Sequence, residues 1–142
     1  MSREYFVIFR TLYVVNTTDA YRIEALLELA AAYPGPLTVA EVARRRRIPA
    51  PFLRRLVAAT ARTGILVTSR GPRGGVRLVR PPELLTLAEV APAPLTHRAG
   101  GAAVAWLDDA LTGARRGVLE TTTLADLVAI ERRSETREDW YI

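Results

Sequence analysis

The chain has 142 residues, of which 49% are hydrophobic and 25% charged, and its formal net charge is +5. A chain of this length buries one modest core, with room for an appended helix. It contains no cysteine and a single histidine, His97. These counts exclude disulfides, thiolate catalysis, cysteine-held clusters and a conventional histidine-based metal site, so we expect no cofactor.

No stretch reaches the roughly 20 apolar residues that a membrane span requires. The apolar residues 5–9 are interrupted by Arg10, and no small-residue cleavage site follows them, which makes a poor signal peptide. We therefore expect a soluble cytoplasmic protein with no membrane partner. We do not expect an enzyme, because no catalytic constellation can be assembled from this composition.

Helix signals occupy the first part of the chain. Residues 16–19 supply helix-start side chains for a first helix. A second helix begins after Thr38, with Glu41 three positions on as the second half of a capping box. A turn at residues 46–49 then leads into a third helix, with Pro51 as its first residue.

The third helix is followed by a predicted β-hairpin. In the helix, apolar residues at helical spacing predict a buried face, with arginines 54, 55 and 62 on the opposite face. Two runs rich in β-forming residues, 65–69 and 76–79, flank a glycine-proline turn at 71–75. Together these elements predict a winged helix-turn-helix.

The remainder of the chain is predicted to be helical. Thr86 and Glu89 form a capping box that heads a short helix, and residues 99 to about 120 favour a longer one. A last short helix begins at Thr123, and the sequence is polar from Glu131 until the final three residues. The predicted fold class is mainly α with a small β-hairpin wing, followed by a long C-terminal helix.

The positive charge is concentrated on the predicted helix-turn-helix and wing. Residues 44–80 contain eleven arginines and no acidic residue, whereas the rest of the chain holds nine basic and fifteen acidic residues. A basic block of this kind is typical of a protein that binds the phosphate backbone of nucleic acid. A merely solvated face would normally mix both signs of charge. We therefore expect double-stranded DNA to be a partner.

Particular residues are assigned to this DNA contact. The N-terminal part of a recognition helix meets base edges, and Arg55 is the better candidate for guanine, while Phe52 is equally compatible with a thymine methyl and with the core. We interpret the four arginines 44–47 as phosphate contacts. The predicted DNA-binding residues are Thr38, Arg44, Arg45, Pro51, Phe52, Arg54, Arg55, Arg70, Gly71, Pro72, Arg73, Gly74, Gly75 and Arg77.

The tip of the predicted wing favours the minor groove. Arg70 and Arg73 stand beside three glycines, which allow a tight turn and a close approach to another surface. A narrow minor groove attracts inserted arginine. An ordinary hairpin turn would need one glycine rather than three.

Several motifs resemble those of the Rrf-type (IscR/NsrR/CymR) family of bacterial winged helix-turn-helix transcriptional regulators. They are residues 37–43 (LTVAEVA), 48–49 with 52–53, 64–67 (GILV), 69–72 (SRGP), 74–78 (GGVRL) and 85–90 (LTLAEV). The resemblance runs from about residue 13 to residue 129. It implies a homodimer on a palindromic operator, usually a repressor, with a long C-terminal helix that crosses to the partner. The interface residues expected from it are Val104, Trp106, Leu107, Leu111 and Val118.

The chain also departs from that family. Cluster-binding members carry three cysteines before the tryptophan of the long helix, and the corresponding residues 92–105 contain none. His97 has no sulfur partners and is interpreted as a surface residue. Arg47 occupies a turn position where the family usually has glycine, so a positive φ is predicted there. For an arginine this conformation costs about 1 kcal/mol. Thr60 replaces a usual core leucine.

We divide the chain into four parts. Residues 1–12 are an extension, either an added strand or an overlong gene assignment; residues 13–91 are the winged helix-turn-helix domain; residues 92–98 are a linker; and residues 99–142 hold the dimerisation helix, a short helix and a tail. The effector, a small molecule or a protein, is not identified by the sequence. The alternative function is a protein-interaction module that keeps this fold without operator binding. The break at Pro92 and Pro94 and the substitution at Thr60 slightly favour it, and the arginines of the wing oppose it.

We expect the protein, purified without oxygen, to be colourless and to lack iron and acid-labile sulfide, because no thiolate is present to hold a cluster. Absorption spectroscopy with iron and sulfide analysis measures this. A visible band accompanied by stoichiometric iron would contradict the expectation.

Overall fold

The computed structural model describes residues 17–72, 74–91 and 101–138. The predicted extension 1–12 and linker 92–98, together with His97, lie outside them. The order of elements matches the predicted fold class: three helices, a two-stranded hairpin, and further helices that include a long C-terminal one. No helix in the described part of the chain has the length and hydropathy to cross a membrane.

The helix-turn-helix is built from the first three helices. They are α1 (Thr17–Ala32), α2 (Val39–Arg46) and α3 (Ala50–Ala61). Helix α3 begins one residue before the predicted Pro51, with Pro49 at its N-cap position. The apolar face of α3 is buried as its spacing predicts, and it packs against α1 and α2.

Thr60, at the end of the buried face of α3, is 4% exposed. Its hydroxyl donates a hydrogen bond of 2.8 Å to the carbonyl oxygen of Leu56, one turn earlier in the same helix. A buried hydroxyl is costly only when it lacks a partner, so the threonine is accommodated in the core.

The wing is an antiparallel pair of strands, β1 (Leu66–Ser69) and β2 (Gly75–Leu78). It is fixed to the helix-turn-helix by a further backbone pairing that the sequence did not indicate. Leu37 and Val76 exchange two hydrogen bonds, of 2.9 Å from the Leu37 N–H and 2.7 Å from the Val76 N–H. The start of α2 and the second strand of the wing are therefore joined directly.

The C-terminal part begins with a 3₁₀ turn (Pro82–Leu84) and α4 (Leu87–Val90), followed by α5 (Ala102–Thr121) and α6 (Leu124–Glu138). Capping boxes form at both predicted starts, at Thr86 and at Thr123. Helix α6 packs against α1 and continues to Glu138, so the predicted polar tail from Glu131 is wrong over those residues. The glutamates and arginines there are good helix formers.

The core lies between α1, α3, the hairpin and α4, and α6 contributes to it from the other side. Its fully buried side chains are Leu26, Leu29, Leu53, Leu78, Leu85, Val90 and Leu124. They come from α1, α3, β2, α4 and α6, with Leu85 just before α4, which makes the hairpin and α6 parts of the same packed unit as the helix-turn-helix.

Gly75 makes the pairing between Leu37 and Val76 possible. Its φ of +153° is one that L side chains rarely adopt, and an added Cβ would lie 2.6 Å from the Leu37 carbonyl oxygen. We expect Gly75→Ala to lower the free energy of unfolding by at least the roughly 1–3 kcal/mol of an unfavourable backbone conformation. Urea unfolding followed by circular dichroism measures this.

The matched control is Gly113→Ala, since Gly113 lies within α5 and a Cβ there meets nothing within 4 Å. We expect this substitution to raise the stability by about 0.5–1 kcal/mol. An unchanged stability for Gly75→Ala would show that the wing does not depend on this contact.

Candidate nucleic-acid interface

Helix α2 begins at the capping box that the sequence predicts. The Thr38 hydroxyl accepts a hydrogen bond from the Glu41 N–H (3.1 Å) and donates one to the Glu41 carboxylate (2.9 Å). The Thr38 N–H also donates to that carboxylate, which lowers the pKa of Glu41. Thr38 is exposed, but its hydroxyl serves first to start the helix.

The turn between α2 and α3 contains a strained residue. Arg47 has the positive φ that was predicted, at +54° with ψ +40°, and its N–H donates to the Ala43 carbonyl. Because α2 ends in this left-handed residue, the chain reverses direction within a few positions, and α3 starts at Ala50.

Phe52 belongs to the core side of α3. Its ring lies edge-on to the ring of Tyr21 in α1, with the centroids 5.5 Å apart, and the side chain packs against the buried cluster. Of the two interpretations of Phe52, the structure therefore supports packing against the core, and a contact with a base stays a prediction.

The outer face of α3 carries the predicted arginines. Arg54, Arg55 and Arg62 are exposed, as is Pro51 in the first turn. Arg54 lines an open groove between α3 and the wing, whereas Arg55 is turned about 100° from it around the helix axis.

That groove, of about 480 Å³, is bounded by α3, the start of α2 and the hairpin. Its lining residues are Thr38, Val39, Arg54, Val57, Ala58, Ala61, Thr68, Ser69, Gly71, Gly74, Gly75 and Val76. Arg70, Pro72 and Arg77 are exposed on the hairpin, and Arg73 lies outside the described residues. The structure thus brings the predicted parts of the helix-turn-helix and of the wing to the two sides of one groove.

The three wing glycines are required by the conformation of the hairpin itself. A Cβ at Gly74 would lie 2.4 Å from the Ser69 carbonyl oxygen, and Gly75 faces the Leu37 backbone. The close approach that requires these two glycines is therefore made within the chain itself. Gly71, with φ +98° and open space around it, is required by the turn.

Arg46 is not available for a phosphate contact, contrary to its interpretation from sequence. Its guanidinium contacts both carboxylate oxygens of Glu131 in α6 and one oxygen each of Glu24 and Glu28 in α1. The hydrogen bond from Arg46 lowers the pKa of Glu131, and the bond to Glu131 raises the pKa of Arg46 further. The side chain is only 17% exposed.

Two further arginines of the basic block also have acidic partners. Arg45, predicted as a phosphate contact, is exposed but lies 3.2 Å from the second oxygen of Glu28. Arg80 pairs with Glu89, whose pKa is lowered chiefly by that hydrogen bond. The carboxylates come from outside residues 44–80, which is why the charge count of that segment did not reveal them.

The other arginines of the basic block that the structure describes form no salt bridge there, although Arg44 is one of the charges that lower the pKa of Glu41. They are Arg44, Arg47, Arg54, Arg55, Arg62, Arg70 and Arg77, and all are exposed. They occupy α2, the turn, α3 and the hairpin. The elements that bound the groove therefore carry several positive charges that no salt bridge neutralises.

Helix α5 has no buried residue. Val104, Leu107, Leu111 and Val118 are exposed and fall within a sector of about 60° around the helix axis. Trp106, also predicted for this face, is 70% exposed but lies about 140° from Leu111 because each residue turns the helix by about 100°. Trp106 therefore lies outside this stripe, and its place in the dimer interface stays a prediction.

Curated relatives share about half of this chain. An HTH-type transcriptional regulator of Synechocystis sp. is 36% identical over 77 residues, which are 54% of this chain and 52% of that protein. The HTH-type transcriptional regulator IscR of Cereibacter sphaeroides is 34% identical over 79 residues, 54% of this chain and 51% of IscR. The match thus spans about half the length of each relative.

Solved structures share the fold over most of the chain. The global cysteine regulator CymR of B. subtilis superposes with a TM-score of 0.71 at 24% identity, covering 84% of this chain and 98% of CymR. IscR of T. potens superposes with a TM-score of 0.72 at 20% identity, covering 87% of this chain and 92% of that IscR chain.

The sequence profile of the family described as Rrf2, iron-dependent transcriptional regulator, matches residues 15–94, more than half of the chain. The matched region contains the whole helix-turn-helix, the hairpin and α4. This chain belongs to the Rrf2 family of transcriptional regulators.

Proposed function

We propose that this protein is a sequence-specific DNA-binding regulator that acts in the cytoplasm as a homodimer on a palindromic operator, where it represses transcription. The observation that carries the proposal is the set of exposed arginines that form no salt bridge in the described structure, on the elements that bound the groove. B-DNA admits an α-helix in its major groove, and the phosphates on either side attract positive charge. The family membership of the chain supports the same function.

The contacts divide into three kinds. Arg55 and Arg54, on the outer face of α3, would reach base edges in the major groove. Arg44, at the exposed side of α2, would contact phosphate, as would Arg45 if it exchanged Glu28 for the DNA backbone. Arg70, at the hairpin turn, would enter the minor groove of the flanking sequence.

The family description implies iron, and the donors of this chain do not fit it. The sequence contains no cysteine, so no thiolate can hold a cluster. Within residues 17–72, 74–91 and 101–138, no three carboxylate or imidazole groups come together as a metal site. We therefore propose regulation by a small-molecule or protein effector that needs no cluster.

The homodimer is proposed from α5. Four apolar side chains of this helix form an exposed stripe along most of its length. A second copy of the chain fits this stripe, because a two-fold axis would place identical apolar stripes against each other and two recognition helices on two half-sites.

The alternative, an interaction module without DNA binding, has weaker support in the structure than in the sequence. Two features of the sequence favoured it: the break at Pro92 and Pro94, which lies outside the described residues, and the replacement of a core leucine by Thr60. That hydroxyl is satisfied within α3, and the recognition helix is packed normally around it.

The decisive experiment is the selection of bound sequences from a pool of random double-stranded DNA by the purified full chain. We expect the enriched sequences to contain an inverted repeat. A reporter gene placed behind that repeat should be expressed less when the protein is present. Enrichment of no sequence would contradict operator binding and would favour the interaction module.

Arg55→Ala and Arg44→Ala should weaken binding in different ways. If Arg55 forks onto a guanine, its removal takes away about 1–3 kcal/mol of discrimination at one position per half-site. Arg44→Ala should weaken binding to all sequences alike and lower the salt slope by about one unit for each phosphate that a subunit no longer neutralises. Titrations of the selected repeat and its single-base variants at two or more salt concentrations measure both effects.

Arg70→Ala should act in a third way, by reducing the preference for A·T-rich flanks without changing the central bases. Arg132→Ala is the control, because Arg132 is exposed on α6, outside the groove. If all three groove-side variants bound specific and random DNA as the parent protein does, this surface would not be the DNA interface.

Leu107→Arg should convert the dimer to monomers and weaken operator binding, since it buries a charge in the proposed interface. Light scattering measures the mass. Gly113→Arg is the control, because it places the same side chain on the far side of α5. Monomers from Gly113→Arg alone would place the interface on the face of Trp106 instead.

A further inference from the structure

The Arg46 cluster joins three parts of the molecule. Arg46 is the last residue of α2, next to the turn that sets the direction of α3. Its Nε donates a hydrogen bond of 2.8 Å to Glu28, and one terminal nitrogen donates a hydrogen bond of 2.9 Å to Glu131. The other terminal nitrogen contacts Glu24 and Glu131. Helix α2 is thereby bonded to both α1 and α6.

The geometry of these contacts restricts orientation. Arg46 binds Glu131 through two parallel hydrogen bonds, an arrangement that fixes the angle of the guanidinium plane as well as its distance. Arg46 and Glu28 are each 17% exposed, whereas Glu131 is 35% and Glu24 45% exposed, so the bond between Arg46 and Glu28 is the one that salt screens least. A rotation of α2 relative to α6 would break several of these bonds together.

Helix α6 is in turn connected rigidly to α5. Only residues 122 and 123 separate the two helices, and both ends of this connection are bonded to the chain around α4. The Leu87 N–H donates to the Thr122 carbonyl (2.8 Å), and the Leu124 N–H donates to the Leu85 carbonyl (3.0 Å). The position of α6 is therefore tied to the position of α5, the proposed dimerisation helix.

We propose that Arg46 is a positioning residue that fixes, through Glu131, the angle between the recognition helix and the dimer helices, and so sets the spacing of the two half-sites. This inference rests on the proposed function as an operator-binding dimer. In a two-fold dimer, any rotation of α3 relative to α5 is applied in both subunits. One base pair of spacing corresponds to about 3.4 Å along the DNA and about 35° around it, so a modest change of angle alters the preferred spacing.

The test uses the inverted repeat selected by the full chain, with its half-sites moved one base pair closer together or further apart. We expect the parent protein to prefer the selected spacing. Glu131→Gln should reduce this preference by roughly tenfold, within the range of effects of mutations at a coupling contact. Its affinity for DNA that carries one half-site should stay the same.

Two variants separate positioning from a general loss of binding. Arg44→Gln, on the same helix but with no salt bridge to α1 or α6 in the described structure, should weaken binding at all spacings equally. The exchange of charges in Arg46→Glu with Glu131→Arg places an arginine beside Glu24 and Glu28 again, and it should restore the spacing preference. If Glu131→Gln retains the parental preference while folded by circular dichroism, the proposal is wrong.

A measurement without DNA distinguishes this failure from a failure of the proposed function. The chain has no cysteine, so spin labels at Ala58→Cys in α3 and Ser134→Cys in α6 would be the only ones present. We expect a narrow distribution of distances between them in the parent protein and a broader one with Glu131→Gln. If the distance distribution is unchanged by Glu131→Gln, the positioning role is wrong, whether or not an operator is found. If the distribution is broader, the positioning role is supported, whether or not an operator is found.

Discussion

Two backbone hydrogen bonds between Leu37 and Val76 hold together the parts of the fold that flank the groove. Leu37 directly precedes the N-cap of α2, and Val76 lies in the second strand of the wing, so this pairing fixes the wing on the helix-turn-helix. It depends on Gly75, where any side chain would meet the Leu37 carbonyl. Since α2 leads through its turn into α3, the same contact also determines how far apart α3 and the hairpin stand. A surface rich in positive charge is thus built on an uncharged contact.

The four consecutive arginines 44–47 show how one run of identical residues is divided among different tasks. Each residue turns a helix by about 100°, so neighbours in the run face different surroundings. Arg44 is exposed and forms no salt bridge in the described structure, and Arg45 contacts one oxygen of Glu28. Arg46 is surrounded by glutamates, and Arg47 ends the helix in a left-handed conformation. The same type of side chain is thus an exposed surface charge at one position, a salt-bridge partner at the next, and a contact between three helices at the third.

The fold was predictable because its signals are local. The capping boxes at Thr38 and Thr86, the apolar spacing of α3 and the glycine-proline turn each depend on residues within a few positions of one another. The errors concern contacts between distant segments. The Arg46–Glu131 pair joins α2 to α6, and α2, α3 and β1 lie between Leu37 and Val76 in the sequence. Neither contact therefore leaves a periodic pattern in the sequence. Placing Phe52 in the core required the position of Tyr21, which spacing along one helix does not supply.

The arrangement of paired and unpaired charge also affects how the molecule meets other molecules in solution. The exposed arginines 54, 55, 70 and 77 lie on α3 and the hairpin, whereas Glu24, Glu28 and Glu131 are paired with Arg45 and Arg46 where α1 and α6 meet. The domain therefore carries unpaired positive charge on its groove side, which attracts a negatively charged polymer before contact. Its collisions with such a polymer are oriented with the groove foremost, and this guidance weakens as ions shorten the Debye length. The glutamates that restrain Arg46 thus also help to determine which side of the protein arrives first.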